Sequence, residues 1–210
     1  MFHMKQKRGK FHVKQEIILS KELQKRLQTF ETLLKKWQKA VNLVSNNSLK
    51  DAWERHILDS AQLFAFVPKD AETLVDLGSG GGFPGLVLAL MAHDAGRSLH
   101  VHLVESDTRK CAFLQECARQ LSVPVTIHNC RIEDMPALPA DIITARALSD
   151  LPTLLRLSAA FWKDTTHALF LKGARVQKER ARLPAGFTVQ SIPSQTDPSG
   201  VIIDIRKEDS

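Results

Sequence analysis

The stretch Thr73-Leu74-Val75-Asp76-Leu77-Gly78-Ser79-Gly80-Gly81-Gly82-Phe83-Pro84-Gly85 constrains the fold more than any other part of the chain. Leu74, Val75 and Leu77 are strand formers around a single acid. Five glycines fall within the eight positions 78–85. They allow positive φ and a close approach of backbone to ligand. Pro84 suits the first turn of a helix, where its missing N–H costs nothing, and Leu86-Val87-Leu88-Ala89-Leu90-Met91 carries that helix on. A strand ending in glycines at a helix N-terminus is where α/β proteins hold nucleotide-like ligands.

The flanking patterns differ on the two sides of this turn. Upstream, Leu19, Leu23, Leu27, Phe30, Leu34, Trp37 and Val41 recur at three- and four-residue steps, which predicts an amphipathic helix over 17–41 with Ser20 as its N-cap. Ser48 with Asp51 forms a Ser-x-x-Asp capping signature for a second helix, whose apolar face is Trp53, Ile57, Ala61 and Phe64 and which ends at Pro68. Downstream, strand and helix alternate. Strands are expected at 73–77, 100–105, 125–128, 141–144 and 167–171. Helices are expected at 108–121, through 151–161, and at 176–183. Residues 187–192 and 201–206 form a final strand pair with no helix between them, hence antiparallel neighbours. The chain therefore divides into a basic tail (1–16), a helical module (17–70) and an α/β unit (71–210), packed as one compact body. Strand–helix alternation predicts a mostly parallel sheet with helices on both faces. The closing pair makes seven strands, one of them antiparallel. That arrangement resembles the Rossmann-like methyltransferase fold.

Composition excludes several classes. With 210 residues, 43% of them hydrophobic, the chain has the length of one domain with a real core. No apolar run reaches the ~18 residues of a membrane span, and the basic N-terminus lacks the apolar core of a secretory signal. Three cysteines without close pairing predict a reducing cytoplasm rather than a disulfide framework. The net charge of +6 is compatible with a polyanionic partner.

Two ligands compete for the glycine turn. Gly80, Gly82 and Gly85 satisfy G-x-G-x-x-G, with Glu105 downstream as in a dinucleotide site. Asp76, Gly78, Gly80 and Gly82 instead match acidic-x-Gly-x-Gly-x-Gly, which resembles the first motif of S-adenosylmethionine-dependent methyltransferases. There Glu105, ending the second strand, is placed to accept from both ribose hydroxyls. Three features favour the methyl donor. Asp76 lies inside a strand, a costly place for an acid without a task. The C-terminal half offers no second catalytic domain, and the final strand pair fits a methyltransferase sheet. A purely architectural alternative has the glycines permit close packing while Asp76 caps the helix.

Asn129-Cys130-Arg131-Ile132-Glu133-Asp134 follows the third strand, where this fold holds adenine. From these residues alone, a polar turn with a capping acid explains the segment at least as well. Arg146, at the end of the fourth strand, can bind a carboxylate or phosphate bidentately; a solvated strand-end arginine is the alternative. His56, from the residues alone, reads sooner as a partly buried helix-end histidine than as a site residue. The fourth strand lacks the Asn-Pro-Pro or Asp-Pro-Pro expected for methylating an exocyclic amine, and the Pro-Cys of a pyrimidine-attacking nucleophile. Cys111 and Cys117 fall on an inner helix face, Cys130 has no assignable basic partner, and no Cys/His spacing suggests zinc or another metal. Guanine N7 fits these absences, since its in-plane lone pair needs neither nucleophile nor general base, leaving positioning to dominate.

The segments Trp37-Gln38-Lys39-Ala40-Val41-Asn42-Leu43, Arg55-His56-Ile57-Leu58-Asp59-Ser60, Asp76 to Gly85, Arg131-Ile132-Glu133, Ala145-Arg146-Ala147 and Leu171-Lys172-Gly173 resemble, in order and spacing, the RsmG (GidB) family. Those are bacterial 16S ribosomal RNA methyltransferases acting on guanine N7 at position 527. The resemblance runs from about residue 17 to 206. It implies that Gly78, Phe83, Ile132, Glu133 and Arg146 contact S-adenosylmethionine and that Glu105 takes its ribose, with Asp76 and Gly80 in the same motif. It implies further that Asn42, His56, Arg131, Arg146 and Lys172 line an RNA-facing cleft shaped by the N-terminal helices, with no catalytic base and Arg146 as positioning group. Glu at 105, where many relatives carry Asp, keeps the ribose chemistry. The expected partner is 16S rRNA, within the small subunit or an assembly intermediate, and the expected state is a cytoplasmic monomer. A methyltransferase for another RNA base or a small molecule, and a non-catalytic ribosome-assembly factor, remain the alternatives.

Overall fold

The computed structural model describes residues 17–173 and 176–208, so the basic tail expected over 1–16 lies outside the described residues. The first helix, α1, spans Lys21–Trp37. Ser20 caps it as expected, its hydroxyl accepting from the Leu23 N–H at 3.0 Å. The helix is shorter than the 17–41 pattern. Gln38 ends it by turning back, Oε1 accepting from the Leu43 and Val44 N–H groups and Nε2 donating to the Val44 carbonyl. Val41 is still buried, but from the turn.

The capping expected of Ser48 is corrected. Ser45 caps the short helix α2 (Asn46–Leu49), while Ser48 lies inside that helix with its side chain turned to His56. The second helical stretch is continuous but irregular: a π-turn over Trp53–Leu58, α3 (Asp59–Ala61) and a 3₁₀ turn over Gln62–Phe66. Ile57 and Ala61 face the core, as their spacing predicts.

The α/β part follows the expected alternation. It comprises β1 (Thr73–Leu77), α4 (Gly85–Asp94), β2 (His100–Glu105), α5 (Thr108–Gln120), β3 (Val125–Asn129), β4 (Ala140–Arg146), α6 (Leu151–Leu157), β5 (Trp162–Lys172), α7 (Val176–Arg180), β6 (Phe187–Pro193) and β7 (Val201–Lys207). β4 and β5 run longer than expected: Ala140 pairs with Trp162 before a register shift, and Ala145 and Arg146 pair with Phe170 and Leu171 at the other end. The sheet order is β3-β2-β1-β4-β5-β7-β6. β7 alone is antiparallel, to both β5 and β6, which is the seven-stranded pattern read from the sequence.

Alternate strand residues face opposite layers. Leu74, Val101, Leu103 and Ile142 pack under α4, α5 and α1, where Phe30, Leu86 and Phe113 belong to one continuous core. Val75, Val104, Ile143 and Phe170 pack with α6 and α7 on the other side. Cys111 and Cys117 are buried in helix α5, as the spacing predicts. No described helix is long and apolar enough to cross a membrane.

Candidate active site

The strand order brings the C-terminal ends of β1, β2 and β4 side by side around the glycine turn. Gly78, Gly80 and Gly82 take positive φ of 65°, 52° and 86°, conformations an L side chain adopts only at a cost. A Cβ on Gly82 would meet Phe30 Cζ at 3.1 Å, tighter than an ordinary contact, so glycine also eases close packing against α1.

Asp76 sits beneath this turn and does not reach the cavity. It is fully buried. Thr144 Oγ donates to Oδ1 at 2.6 Å, and the Gly85 N–H at the head of α4 donates to Oδ2 at 3.2 Å. Burial raises its pKa from 3.8 to about 6, against the pull of those hydrogen bonds. Its visible work is to lock turn, helix and β4 together. Pro84 is the residue that caps α4 rather than its first member.

Glu105 faces the turn from β2. Its Oε2 accepts from the Gly80 N–H at 2.9 Å and Oε1 from the Asp107 N–H at 2.8 Å. Each carboxylate oxygen has a second lone pair, so both keep acceptor capacity toward the cavity.

Three connected lobes open above these strand ends. The first, of about 310 Å³, is lined by Gly78, Gly80, Glu105, Arg131, Ile132 and Glu133 among others. The middle lobe, of about 530 Å³, is lined by Asn42, Ser48, His56, Gly78, Gly80 and Phe83. The third, of about 370 Å³, is lined by Arg55, His56, Asp59, Lys172, Thr196 and Asp197. Arg146 and Ala147 border all three. Ala147 takes φ of +52°, uncommon for a residue with a Cβ. Volumes of this size suit small-molecule sites, about 300–1,000 Å³.

The junction is a stacked and hydrogen-bonded unit. The His56 ring lies 5.1 Å from that of Phe83, tilted by 29°, and the Arg146 guanidinium covers Phe83 at 4.9 Å. Arg146 Nη1 donates to the Arg55 carbonyl at 3.1 Å and to His56 Nδ1. Because a guanidinium only donates, Nδ1 is the bare nitrogen and Nε2–H donates to Ser48 Oγ at 2.9 Å. Ser48 in turn donates to the Ser45 carbonyl at 3.0 Å. Burial, reinforced by Arg146 and Arg55, lowers the His56 pKa to about 3, so the ring is neutral in one tautomer at working pH. Burial also lowers Arg146, to about 10, with Asp59 and Asp76 opposing the shift.

Among the residues expected to face RNA, Asn42 borders the middle lobe and Arg131 the first. Lys172 borders the third, but its Nζ is held by Glu179 at 2.7 Å and by the Ser149 carbonyl at 2.7 Å. Sequence reading assigned no individual role to Arg55, Asp59, Lys110, Thr196 or Asp197, all of which line the cleft. Arg55 and Asp59 flank His56 in a segment whose family resemblance was visible. Nothing in the sequence links them to the loop at 196–197.

Residues 23–201 match the family model described as GidB, rRNA small subunit methyltransferase G. The chain belongs to that family. The ribosomal RNA small subunit methyltransferase G of Rhodospirillum centenum is 49% identical over 187 residues, covering 88% of this chain and 84% of the relative. That of Parvibaculum lavamentivorans is 46% identical over 192 residues, covering 90% and 84%. Among solved structures, the 16S rRNA methylase RmtB superposes with a TM-score of 0.55 at 19% identity, covering 88% of this chain and 75% of that one. A ribosomal protein L11 methylase from Lactobacillus delbrueckii gives 0.57 at 14% identity, covering 72% and 77%. At that identity the likeness concerns the fold alone, which is the Rossmann-like methyltransferase fold. Membership in the family makes the chain a small-subunit rRNA methyltransferase.

Proposed function

We propose that the protein transfers the methyl group of S-adenosylmethionine to N7 of a guanine in 16S rRNA, the position 527 acceptor of its family. S-adenosylmethionine supplies an electrophilic methyl carbon on a sulfonium. In this reading the first lobe takes the adenosine, with Glu105 accepting from the ribose hydroxyls and Ile132–Glu133 beside the adenine. Gly78, Gly80 and Phe83 line the path of the methionine part, and Asp76 acts through the turn it holds. Arg146, where the lobes meet, orients the two reactants. The third lobe receives the base, and Asn42, His56, Arg131 and Lys172 face the RNA.

The observation that carries the acceptor assignment is the state of His56, the only imidazole lining the cleft among the described residues. Both its nitrogens are committed and its pKa lies far below neutrality, so it is unfit to take a proton. Guanine N7 needs no base, because attack through its lone pair forms a cation that keeps all its protons. Catalysis then rests on alignment in a cleft whose walls are already hydrogen-bonded in place. The substrate is 16S rRNA in the small subunit or an assembly intermediate, the enzyme acts as a cytoplasmic monomer, and residues 17–70 form a module serving the 71–210 unit.

The test is labelled-methyl transfer to small subunits from cells lacking the enzyme, followed by nucleoside analysis. Label in 7-methylguanosine is expected. Label in another nucleoside would replace the acceptor. Cofactor binding without transfer to any RNA form would mark an assembly factor.

A further inference from the structure

We infer that Asp59 reads the Watson–Crick edge of the target guanine, accepting hydrogen bonds from its N1–H and 2-amino groups. The inference rests on the guanine-N7 reading above and assigns the residue that makes it selective.

Asp59 is held in an unusual way. Oδ1 alone takes three donors: Gln62 Nε2 at 2.8 Å, Thr196 Oγ at 2.9 Å and Ser194 Oγ at 3.4 Å. Gln62 is itself tied to that loop, its Oε1 accepting from the Gln195 N–H at 2.9 Å. The carboxylate is thus clamped between the helical stretch and a loop more than 130 residues away. Oδ2 has no hydrogen-bond donor among the described residues, yet Asp59 borders the third lobe. One oxygen is saturated and oriented; the other is left for a ligand.

Its position matches the shape of guanine. N7 and O6 lie on one edge of the base, N1–H and the 2-amino group on the opposite side. Arg146 borders all three lobes, whereas Asp59 borders only the third. A base with N7 directed to the junction turns its two-donor edge toward the wall that carries Asp59. Adenine has an acceptor at N1 and no 2-amino group, so the carboxylate would face a lone pair. A site built to bond a polar group strongly rejects analogues lacking it. Asp197 is the other carboxylate of this lobe, but it caps its own turn, its Oδ1 taking the Ser199 N–H and hydroxyl at 2.8 Å each. Burial raises the pKa of Asp59, while those turn bonds lower that of Asp197. The desolvated carboxylate is the one whose hydrogen bonds discriminate most.

The experiment compares small subunits reconstituted with 16S rRNA carrying guanosine or inosine at the target. Inosine keeps N7, O6 and N1–H and lacks only the 2-amino group. Wild-type kcat/KM is expected to fall roughly tenfold or more on inosine. Asp59→Asn, which preserves shape and an acceptor for the loop, is expected to be slow on guanosine and to treat the two substrates within about twofold. Its affinity for S-adenosylmethionine should match that of the wild type. Equal rates of the wild-type enzyme on both substrates would overturn the inference whatever the variant does. So would an Asp59→Asn enzyme that is slower yet keeps the full preference, or transfer of the preference's loss to Asp197→Asn. Label from guanosine-containing subunits in a nucleoside other than 7-methylguanosine would instead overturn the reaction reading on which the inference rests.

Discussion

The first lobe and the third lobe of the cleft are built in opposite ways. Around the first, Gly78, Gly80, Glu105 and Ile132–Glu133 sit at or just beyond the ends of adjacent parallel strands. Backbone amides do much of the holding, and the acid Glu105 is braced by two of them. Around the third lobe, the walls come from a π-turn, the end of β5 and a loop before β7. Side chains hold it: Arg146 to His56, and Asp59 to Thr196. A strand-end site forms once the sheet forms. The third lobe exists only when these distant segments meet.

The largest expected break is Gly85→Ala. A Cβ there would meet Leu103 Cδ2 at 2.5 Å and the Asp76 side chain at 2.7 Å. Overpacking, together with loss of the hydrogen bond to Asp76, should cost roughly 3 kcal/mol or more. Chemical denaturation checks this, and a midpoint near wild type would show the turn to be looser than its geometry implies.

Asp76→Asn should act through pH. The folded protein holds the Asp76 proton up to about pH 6, against 3.8 for an ordinary carboxyl. Its stability contribution is therefore present below the unfolded value and lost as pH rises from about 4 through 6. The loss amounts to roughly 3 kcal/mol. Asparagine cannot ionise; its oxygen can accept from the Gly85 N–H while its NH2 donates to the Thr144 hydroxyl, so the stability of the variant relative to wild type should climb across that window. A constant difference from pH 4 to 7 would contradict the raised pKa.

On the junction, Arg146→Lys removes the planar fork and the stacking on Phe83. Methyl transfer should slow about a hundredfold through misplacement, with the melting temperature within a few degrees of wild type. A rate within threefold would show that a bare charge suffices. The smallest effect is a non-effect: the His56 imidazole signals should not titrate between pH 5 and 8 by NMR, since its pKa lies at about 3. A midpoint near 6.5 would free the ring for proton transfer.

The same contrast explains what was legible in the sequence. The glycine turn, Glu105 and the strand ends could be read because parallel connectivity converts their order along the chain into neighbourhood in space. The core faces of α1 and α5 could be read from spacing, and the antiparallel β7 from the missing helix before it. Ser48 was misread because it carries the Ser-x-x-Asp pattern, which Ser45, the residue that caps, lacks; the Ser48 side chain is engaged by His56 instead. The individual role of Asp59 was invisible because its meaning lies in Ser194 and Thr196. Asp76 carried the right motif, but the motif could not say that the side chain works beneath the site.

The division of labour between the lobes is tested most directly by calorimetric titration of S-adenosylmethionine into Glu105→Ala and Lys172→Ala, beside methyl-transfer rates on small subunits. Glu105→Ala should bind the cofactor at least tenfold more weakly. Lys172→Ala should bind it within about twofold of wild type and still methylate more slowly. Unchanged affinity in Glu105→Ala, or equal weakening in both variants, would contradict the separation of a donor lobe from an acceptor lobe.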